Sequence, residues 1–315
     1  MKIPVIVVSG PTASGKSALA LKIAEKYGGE IVSADSMQIY KELSVGTAKP
    51  DKSEIKRVPH HLVDILEPEE KFSAADFKKR AEEAIEDISS RGRLPIIAGG
   101  TGLYIDSLLY STGFSHPKEN PALRRELAEM NEKEGADAVY AILKSLDGDA
   151  AEKIHKNNVK RVIRAIEIIK STNKSLEESV EKPLGVSPKY EVLYVFINPD
   201  RQELYRRIDR RVDEMMEQGL LDEAKMLFER NVLPDATSVQ AIGYKEFFGV
   251  FRGEKSLSDA VDELKRDTRR YAKRQVTWFS RHKDAVELKK NELSLLEETE
   301  EFKRFIALLG KDKWE

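Results

Sequence analysis

The sequence predicts an α/β protein: a parallel sheet flanked by helices, interrupted by an all-helical insertion domain. Three observations carry that reading. Short β-branched runs without polar alternation recur through the first hundred residues, as strands buried on both faces of a parallel sheet require. Helical segments separate them, so right-handed crossovers must join the strands. A long strand-free stretch then intervenes before one more apolar run at 190–198.

Residues 4–9 (P-V-I-V-V-S) are the first strand, and 17–27 is a helix with Leu19, Ala20, Ile23 and Ala24 at helical spacing. Residues 30–35 and 61–65 are the next two strands. Residues 74–89 form a helix with Phe77, Ala81, Ala84, Ile85 and Ile88 on one face and Ser73 as its cap. Residues 94–98 (L-P-I-I-A) are another buried strand, ended by Gly99-Gly100-Thr101-Gly102. From 121 to 171 the chain is rich in Ala, Glu, Lys and Leu and reads as helical throughout. The run 190–198 (Y-E-V-L-Y-V-F-I-N) returns to the core, and the remainder reads as helical almost to Glu315. The economical domain reading is a core of 1–113 plus 187–315, split by a helical insertion at 114–186 that leaves through Lys182-Pro183-Leu184-Gly185.

Composition narrows the class. The 315 residues are 40% hydrophobic and 34% charged, as in water-soluble globular proteins. No run approaches the ~18 consecutive apolar residues of a membrane span. The apolar start, residues 1–8, is short and runs straight into a glycine-rich turn without a cleavage site, so no export signal is expected. With no cysteine, disulfides, thiolate catalysis and cysteine-ligated metals are excluded, and a cytoplasmic protein is expected. The net charge of −2 argues weakly against a nucleic-acid partner. The charge is segregated, however. Residues 264–283 carry eight Lys/Arg against the single acid Asp267, and an acidic stretch follows at 297–301.

Gly10-Pro11-Thr12-Ala13-Ser14-Gly15-Lys16-Ser17 satisfies G-x-x-x-x-G-K-S/T at every fixed position. A buried strand delivers the loop, its N–H groups turn inward around phosphate oxygens, and the next helix aims its positive end at the same place. Lys16 neutralises phosphate and the Ser17 hydroxyl sits on Mg²⁺ in such loops. The fold expected is therefore a P-loop NTPase-like parallel sheet. Asp35 ends the second strand, and strand ends in such sheets converge on one crevice. Two readings of it stay open: a cap for the following helix, or a carboxylate that orders a metal's water or accepts a proton. The turn at 99–102 suits close backbone approach by a ligand, with the Thr101 hydroxyl as a donor. Arg206, Arg207, Arg210 and Arg211 lie on one helix, most of them read as paired with Glu203, Asp209 and Asp213 and one available as a phosphate clamp. On a helical wheel of 264–283, Leu264, Tyr271, Ala272, Trp278 and Phe279 share one side. Arg266, Arg269, Arg270, Lys273, Arg274 and Arg281 share the other, with no interleaved acids, which points to a phosphate backbone. The five histidines have no metal-ligand spacing.

Taken together, G-P-T-A-S-G-K-S, A-D-S-M-Q-I-Y, G-G-T-G-L-Y, R-I-D-R-R-V-D-E-M, A-I-G-Y-K-E and Y-A-K-R-Q-V-T-W-F, in this order from Gly10 to Phe279, resemble the tRNA dimethylallyltransferases. The P-loop alone is widely shared; the ordered set is specific. The resemblance implies transfer of a dimethylallyl group from dimethylallyl diphosphate to N6 of adenosine 37, with release of diphosphate. It implies Mg²⁺ as cofactor, with tRNA and dimethylallyl diphosphate as partners; no membrane contact and a monomer are expected. Lys16, Arg211 and Ser17 (through the metal) would offset the leaving group's charge, Asp35 would take the N6 proton, and Thr101 would hold the amine or the diphosphate. It further implies tRNA contacts from Asp35, Ser36, Met37, Gln38 and Thr101 at the flipped base. Others follow from Arg124; from Lys160, Arg161, Val162, Ile163 and Arg164; and from Val239, Gln240, Ala241, Ile242, Gly243 and Tyr244. The last segment is Lys273, Arg274, Gln275, Val276, Thr277, Trp278, Phe279 and Ser280. The insertion would clasp the anticodon stem-loop. Two alternatives compete: a P-loop kinase of a small metabolite, which leaves the basic helix unexplained, and a non-enzymatic RNA-binding P-loop protein, which makes Asp35 and Thr101 dispensable.

Overall fold

A computed structural model describes residues 2–110, 120–179, 186–230, 232 and 236–310. The elements run β1 (Ile3–Ser9), α1 (Lys16–Lys26), β2 (Gly29–Ser33), α2 (Lys52–Arg57), β3 (His60–His61), α3 (Ala74–Ser90), β4 (Leu94–Gly99) and α4 (Gly102–Leu109). Next come α5 (Pro121–Glu134), α6 (Ala136–Leu146), α7 (Gly148–Lys153), α8 (Val159–Thr172) and α9 (Leu176–Ser179). The chain ends with β5 (Tyr190–Ile197), α10 (Arg201–Glu217), α11 (Leu220–Glu229), α12 (Lys245–Phe251), α13 (Leu257–Phe279), β6 (Val286–Leu288), α14 (Leu293–Glu297) and α15 (Glu300–Leu308).

Two compact units result: 1–109 with 188–315, and 110–187. The exit Lys182-Pro183-Leu184-Gly185 lies outside the described residues, as do the first residues of the insertion read from the sequence, 114–119.

The first unit holds one sheet in the order β3-β2-β4-β1-β5-β6, with every described pairing parallel. Ile6, Val8, Ile96, Ala98, Val195 and Ile197 pack on one face with Leu19, Ile23 and the C-terminal Leu296, Phe302 and Phe305. On the other face Phe196 meets Phe279 of α13, ring centroids 5.8 Å apart. This two-sided cover is why β1 carries no polar alternation. Because β1 lies between β4 and β5, the loop after it opens at the centre of the sheet's carboxyl edge, where strand order reverses.

Three sequence expectations need correction. The strand read at 61–65 shrinks to His60–His61, since Leu62 and Asp64 adopt left-handed backbone (φ 62° and 56°) that breaks a ladder. The strand read at 30–35 ends at Ser33, so Asp35 stands in a turn. The tail is not purely helical: β6 adds an edge strand beside β5, and Asn198 N–H bonds Leu288 C=O at 2.8 Å. Three residues are too few to display a period. The Ser73 cap is present, its hydroxyl accepting from Asp76 N–H while Asp76 accepts from Ser73 N–H.

The second unit is helical, its core built on Leu127, Val139, Leu143, Ile154, Val162 and Ile166. Glu167 is buried within it at 1% exposure and accepts from Asn120 N–H at 2.6 Å, Arg124 at 2.8 Å and Arg164.

Candidate active site

The P-loop turns from β1 into α1 with the Ser14 hydroxyl buried and without a protein partner. An orphaned buried hydroxyl inside a ring of inward N–H groups is what a phosphate oxygen completes. Lys16 Nζ donates to Pro11 C=O at 3.3 Å. Burial and, less so, Arg211 push its pKa down to about 8, against the opposing pull of Asp35. Burial also lowers Arg211 from its ordinary value, and Asp35 again opposes it. Asp35 thus faces two cations whose own environment disfavours charge, an arrangement that gains most when an anion arrives.

A cavity of about 420 Å³ opens over this loop. Thr12, Lys16 and Ser17 form one wall, and Asp35, Ser36, Met37 and Gln38 another. Helix α10 contributes Ile208, Arg211, Val212 and Met215, spaced i, i+3, i+4, i+7 so that one face presents a single cation in an apolar strip. Gln240, Ala241, Ile242 and Gly243 close a further side, and Tyr271, Arg274 and Gln275 of α13 the last.

Asp35 keeps both roles left open by the sequence. Its Oδ1 accepts from Met37 N–H at 2.9 Å and Gln38 N–H at 3.4 Å, which caps the turn and leaves Oδ2 for the cavity. Thr101 Oγ1 accepts from Ser36 N–H at 3.0 Å, joining the β4 turn to the β2 turn. The Gln38 amide is committed to holding the loop that follows, donating to Ala48 C=O at 3.1 Å.

Other predicted residues sit differently. Val162, Val239, Tyr244 and Phe279 are core side chains at 6% exposure or less, so RNA contact by those side chains is not available in this structure. Tyr244 donates its hydroxyl to Glu223 at 2.7 Å. Arg124 and Arg164 grip Glu167; Lys160 and Arg161 are exposed, and Ile163 packs at the edge of the helical core. The basic face of α13 is less free than the helical wheel suggests. Arg269 pairs with Asp209, Lys265 with Asp213 at 2.5 Å, and Arg270 with Asp267 at 3.1 Å. Asp209 and Asp213, expected to neutralise arginines of their own helix, answer α13 instead. Lys273, Thr277 and Ser280 are exposed, Val276 is half-buried, and Trp278 donates to Asp106 at 2.9 Å. Arg281 lies over the Trp278 ring, 4.2 Å from its centroid.

Two features were missed. Tyr271, read as part of an apolar face, lines the cavity. Burial first, then Asp35, pushes its phenol up to about 12, so it stays a neutral hydrogen-bonding group. Glu223 accepts from the N–H groups of Ser44, Val45 and Gly46 at 2.7–2.9 Å and so fixes the loop that carries Gly46 into the cavity wall. The spacing of Ile208 and Met215 about Arg211 could have revealed the apolar strip; nothing local marks Glu223.

Comparison with known proteins places the chain in a family. The family model for IPP transferases matches residues 38–283. A tRNA dimethylallyltransferase of Acetivibrio thermocellus is 46% identical over 97% of this chain and 98% of its own. A tRNA isopentenylpyrophosphate transferase structure from Bacillus halodurans is 40% identical, covers 99% of this chain and 98% of its own, and superposes with a TM-score of 0.71. A eukaryotic dimethylallyltransferase captured acting on tRNA is 31% identical, with a TM-score of 0.79 over 98% of this chain and 78% of its own. With its P-loop, Asp35 turn and cationic helix in one cavity, this chain belongs to the IPP transferase family of tRNA-modifying prenyltransferases.

Proposed function

We propose that the chain transfers the dimethylallyl group of dimethylallyl diphosphate to N6 of adenosine 37 in tRNA and releases diphosphate. The observation that carries this reading is the one cavity in which the P-loop, Asp35 and Arg211 meet an apolar strip. The P-loop N–H groups, Lys16 and Arg211 hold the diphosphate, and the prenyl group lies against Ile208, Val212 and Met215. The allylic C–O bond breaks with its electron pair leaving on diphosphate, where Lys16 and Arg211 stabilise the charge. N6 forms the new bond to carbon, and its proton passes to Asp35. Thr101, bonded to the Asp35 turn, keeps that carboxylate in register. An exocyclic amine is a weak nucleophile, so placement of N6 in line with the breaking bond supplies much of the rate.

The residues fit Mg²⁺ held by Ser17, whose exposed hydroxyl lines the cavity. Among the described residues no three His, Asp or Glu are placed to hold a metal ion, so phosphate oxygens and water would complete the shell, as Mg²⁺ prefers. When bound, the ion would offset diphosphate charge. Lys160, Arg161, Lys273 and Arg274 are the exposed or cavity-facing cations assigned to tRNA phosphates, and the target base enters flipped.

The test incubates the protein with Mg²⁺, radiolabelled dimethylallyl diphosphate and unmodified tRNA, beside an arm with ATP and candidate metabolites. Label in the tRNA that disappears when adenosine 37 is replaced supports the reading. ATP turnover with a metabolite and no labelled tRNA would replace it with a kinase.

A further inference from the structure

Gln275 lies in the middle of the basic segment of α13, beside Lys273 and Arg274, yet only 6% of it is exposed. A buried primary amide carries two donor hydrogens and an acceptor that must all be satisfied. Here they are. Its Oε1 accepts from Thr12 N–H in the P-loop at 2.9 Å, and its Nε2 donates to Gly100 C=O at 2.9 Å. The Tyr271 phenol lies beside the same cluster, facing Gln275 and Thr101. One side chain on a third element therefore fastens together the turns that follow β1 and β4. The fit depends on Gly100: a Cβ there would stand 2.3 Å from Gln275 Nε2.

We infer that Gln275 is a positioning residue for the donor site, one that fixes the P-loop relative to the Gly100–Thr101 turn and so sets the diphosphate against Asp35. This rests on the reading of the cavity as the diphosphate site. A direct tRNA contact by Gln275 is disfavoured because both ends of the amide are engaged inside the protein. Arg274, the next residue, lines the cavity, so the cation assigned to tRNA and the amide that holds Thr12 are neighbours on one helix.

Two variants remove the link differently. Gln275→Met keeps length and burial but loses both hydrogen bonds. Gly100→Ala leaves the helix untouched and pushes the amide away. For each, the melting temperature, the calorimetric Kd for dimethylallyl diphosphate, kcat and KM for transfer, and the filter-binding Kd for tRNA are measured. Both variants are expected to fold, to lose roughly 10- to 100-fold in kcat, as an ångström of misplacement can cost, and to weaken donor binding several-fold. Their tRNA affinity stays within about twofold of wild type. Loss of tRNA affinity with donor constants unchanged would overturn the inference in favour of RNA contact. A lowered melting temperature with wild-type kcat, KM and both Kd values would overturn it in favour of packing alone. A wild-type chain that labels no tRNA refutes the proposed reaction separately, while the donor-binding arm still tests Gln275.

Discussion

Lys16 offers a sharp test of the cavity's electrostatics, because its pKa of about 8 places its charge change within an accessible range. A pKa of 8 makes the free enzyme's lysine roughly 0.9 protonated at pH 7 and roughly 0.1 at pH 9. If the diphosphate binds only the cation, donor affinity falls about tenfold between those values, or ~1.4 kcal/mol. The ligand does not confuse the measurement, since the last ionisation of a phosphate ester lies at roughly 6. Calorimetry in buffers of different ionisation enthalpy reads the proton directly: about half a proton taken up per donor bound at pH 8, approaching one at pH 9. Lys16→Met abolishes the uptake. Asp35, which favours the cation, and Arg211, which opposes it, give the sign controls. Asp35→Asn moves the midpoint below that of wild type and Arg211→Met moves it above. In the free protein the depressed pKa also means that the unfolded chain keeps a proton the folded one has lost, so this group's contribution to stability rises with pH from about 8 toward 10.5. Flat affinity with no proton uptake from pH 7 to 9.5 would refute the argument, and would mean that Asp35 offsets the burial in full.

Four further outcomes follow from the same geometry. Asp35→Asn, which can still cap the turn through its amide oxygen, should lower kcat by roughly 10²–10⁴ while the filter-binding Kd for tRNA moves less than twofold; parallel loss of both would make Asp35 an RNA-positioning residue. Arg274→Ala should weaken tRNA binding and reduce the slope of log K against log salt by about 1, whereas Arg269→Ala, already paired with Asp209, should leave that slope alone. Glu167→Ala removes the carboxylate shared by Arg124, Arg164 and the Asn120 N–H, and should destabilise the helical unit by roughly 1–3 kcal/mol in denaturant melts, since both arginines are partly exposed and regain water. Tyr244→Phe loses one hydrogen bond to Glu223, worth ~1 kcal/mol, and should leave tRNA affinity unchanged; a tenfold loss of affinity would return Tyr244 to the RNA interface.

How much of this was legible in the sequence depends on how local the cause is. The strands β1, β4 and β5 announce themselves because burial on both faces demands unbroken apolar runs, and the P-loop because its glycines and lysine are contiguous. The edge strands β3 and β6 do not: two and three residues long, they exist through backbone bonds to a longer neighbour. Charge on α13 misled for a related reason. A helical wheel sees only its own helix, and Asp209 and Asp213, which neutralise Arg269 and Lys265, arrive from α10, far earlier in the chain.

The turn at 99–102 shows the same limit inside the site. From sequence, its glycines suit close approach by a ligand. The structure gives them protein neighbours instead: a Cβ on Gly100 would strike the Gln275 amide and one on Gly102 would lie 2.3 Å from the Trp278 ring. Both neighbours belong to α13, three residues apart and therefore on one face of that helix. G-G-T-G and K-R-Q-V-T-W-F thus form a single joint, in which small residues on the turn admit two large polar-tipped side chains. Trp278 is tied to Asp106 and Gln275 to Thr12, so the joint has a hydrogen-bonded anchor on each side. Its specificity predicts a genetic signature. Enlarging either glycine should lower the melting temperature, and that loss should be relieved by shortening its own partner on α13, Gly100→Ala by Gln275→Asn and Gly102→Ala by Trp278→Leu, and not by exchanging the two rescues. Equal rescue by either partner would mean that the turn tolerates the extra methyl through general loosening, and the joint would lose its standing as a fitted contact.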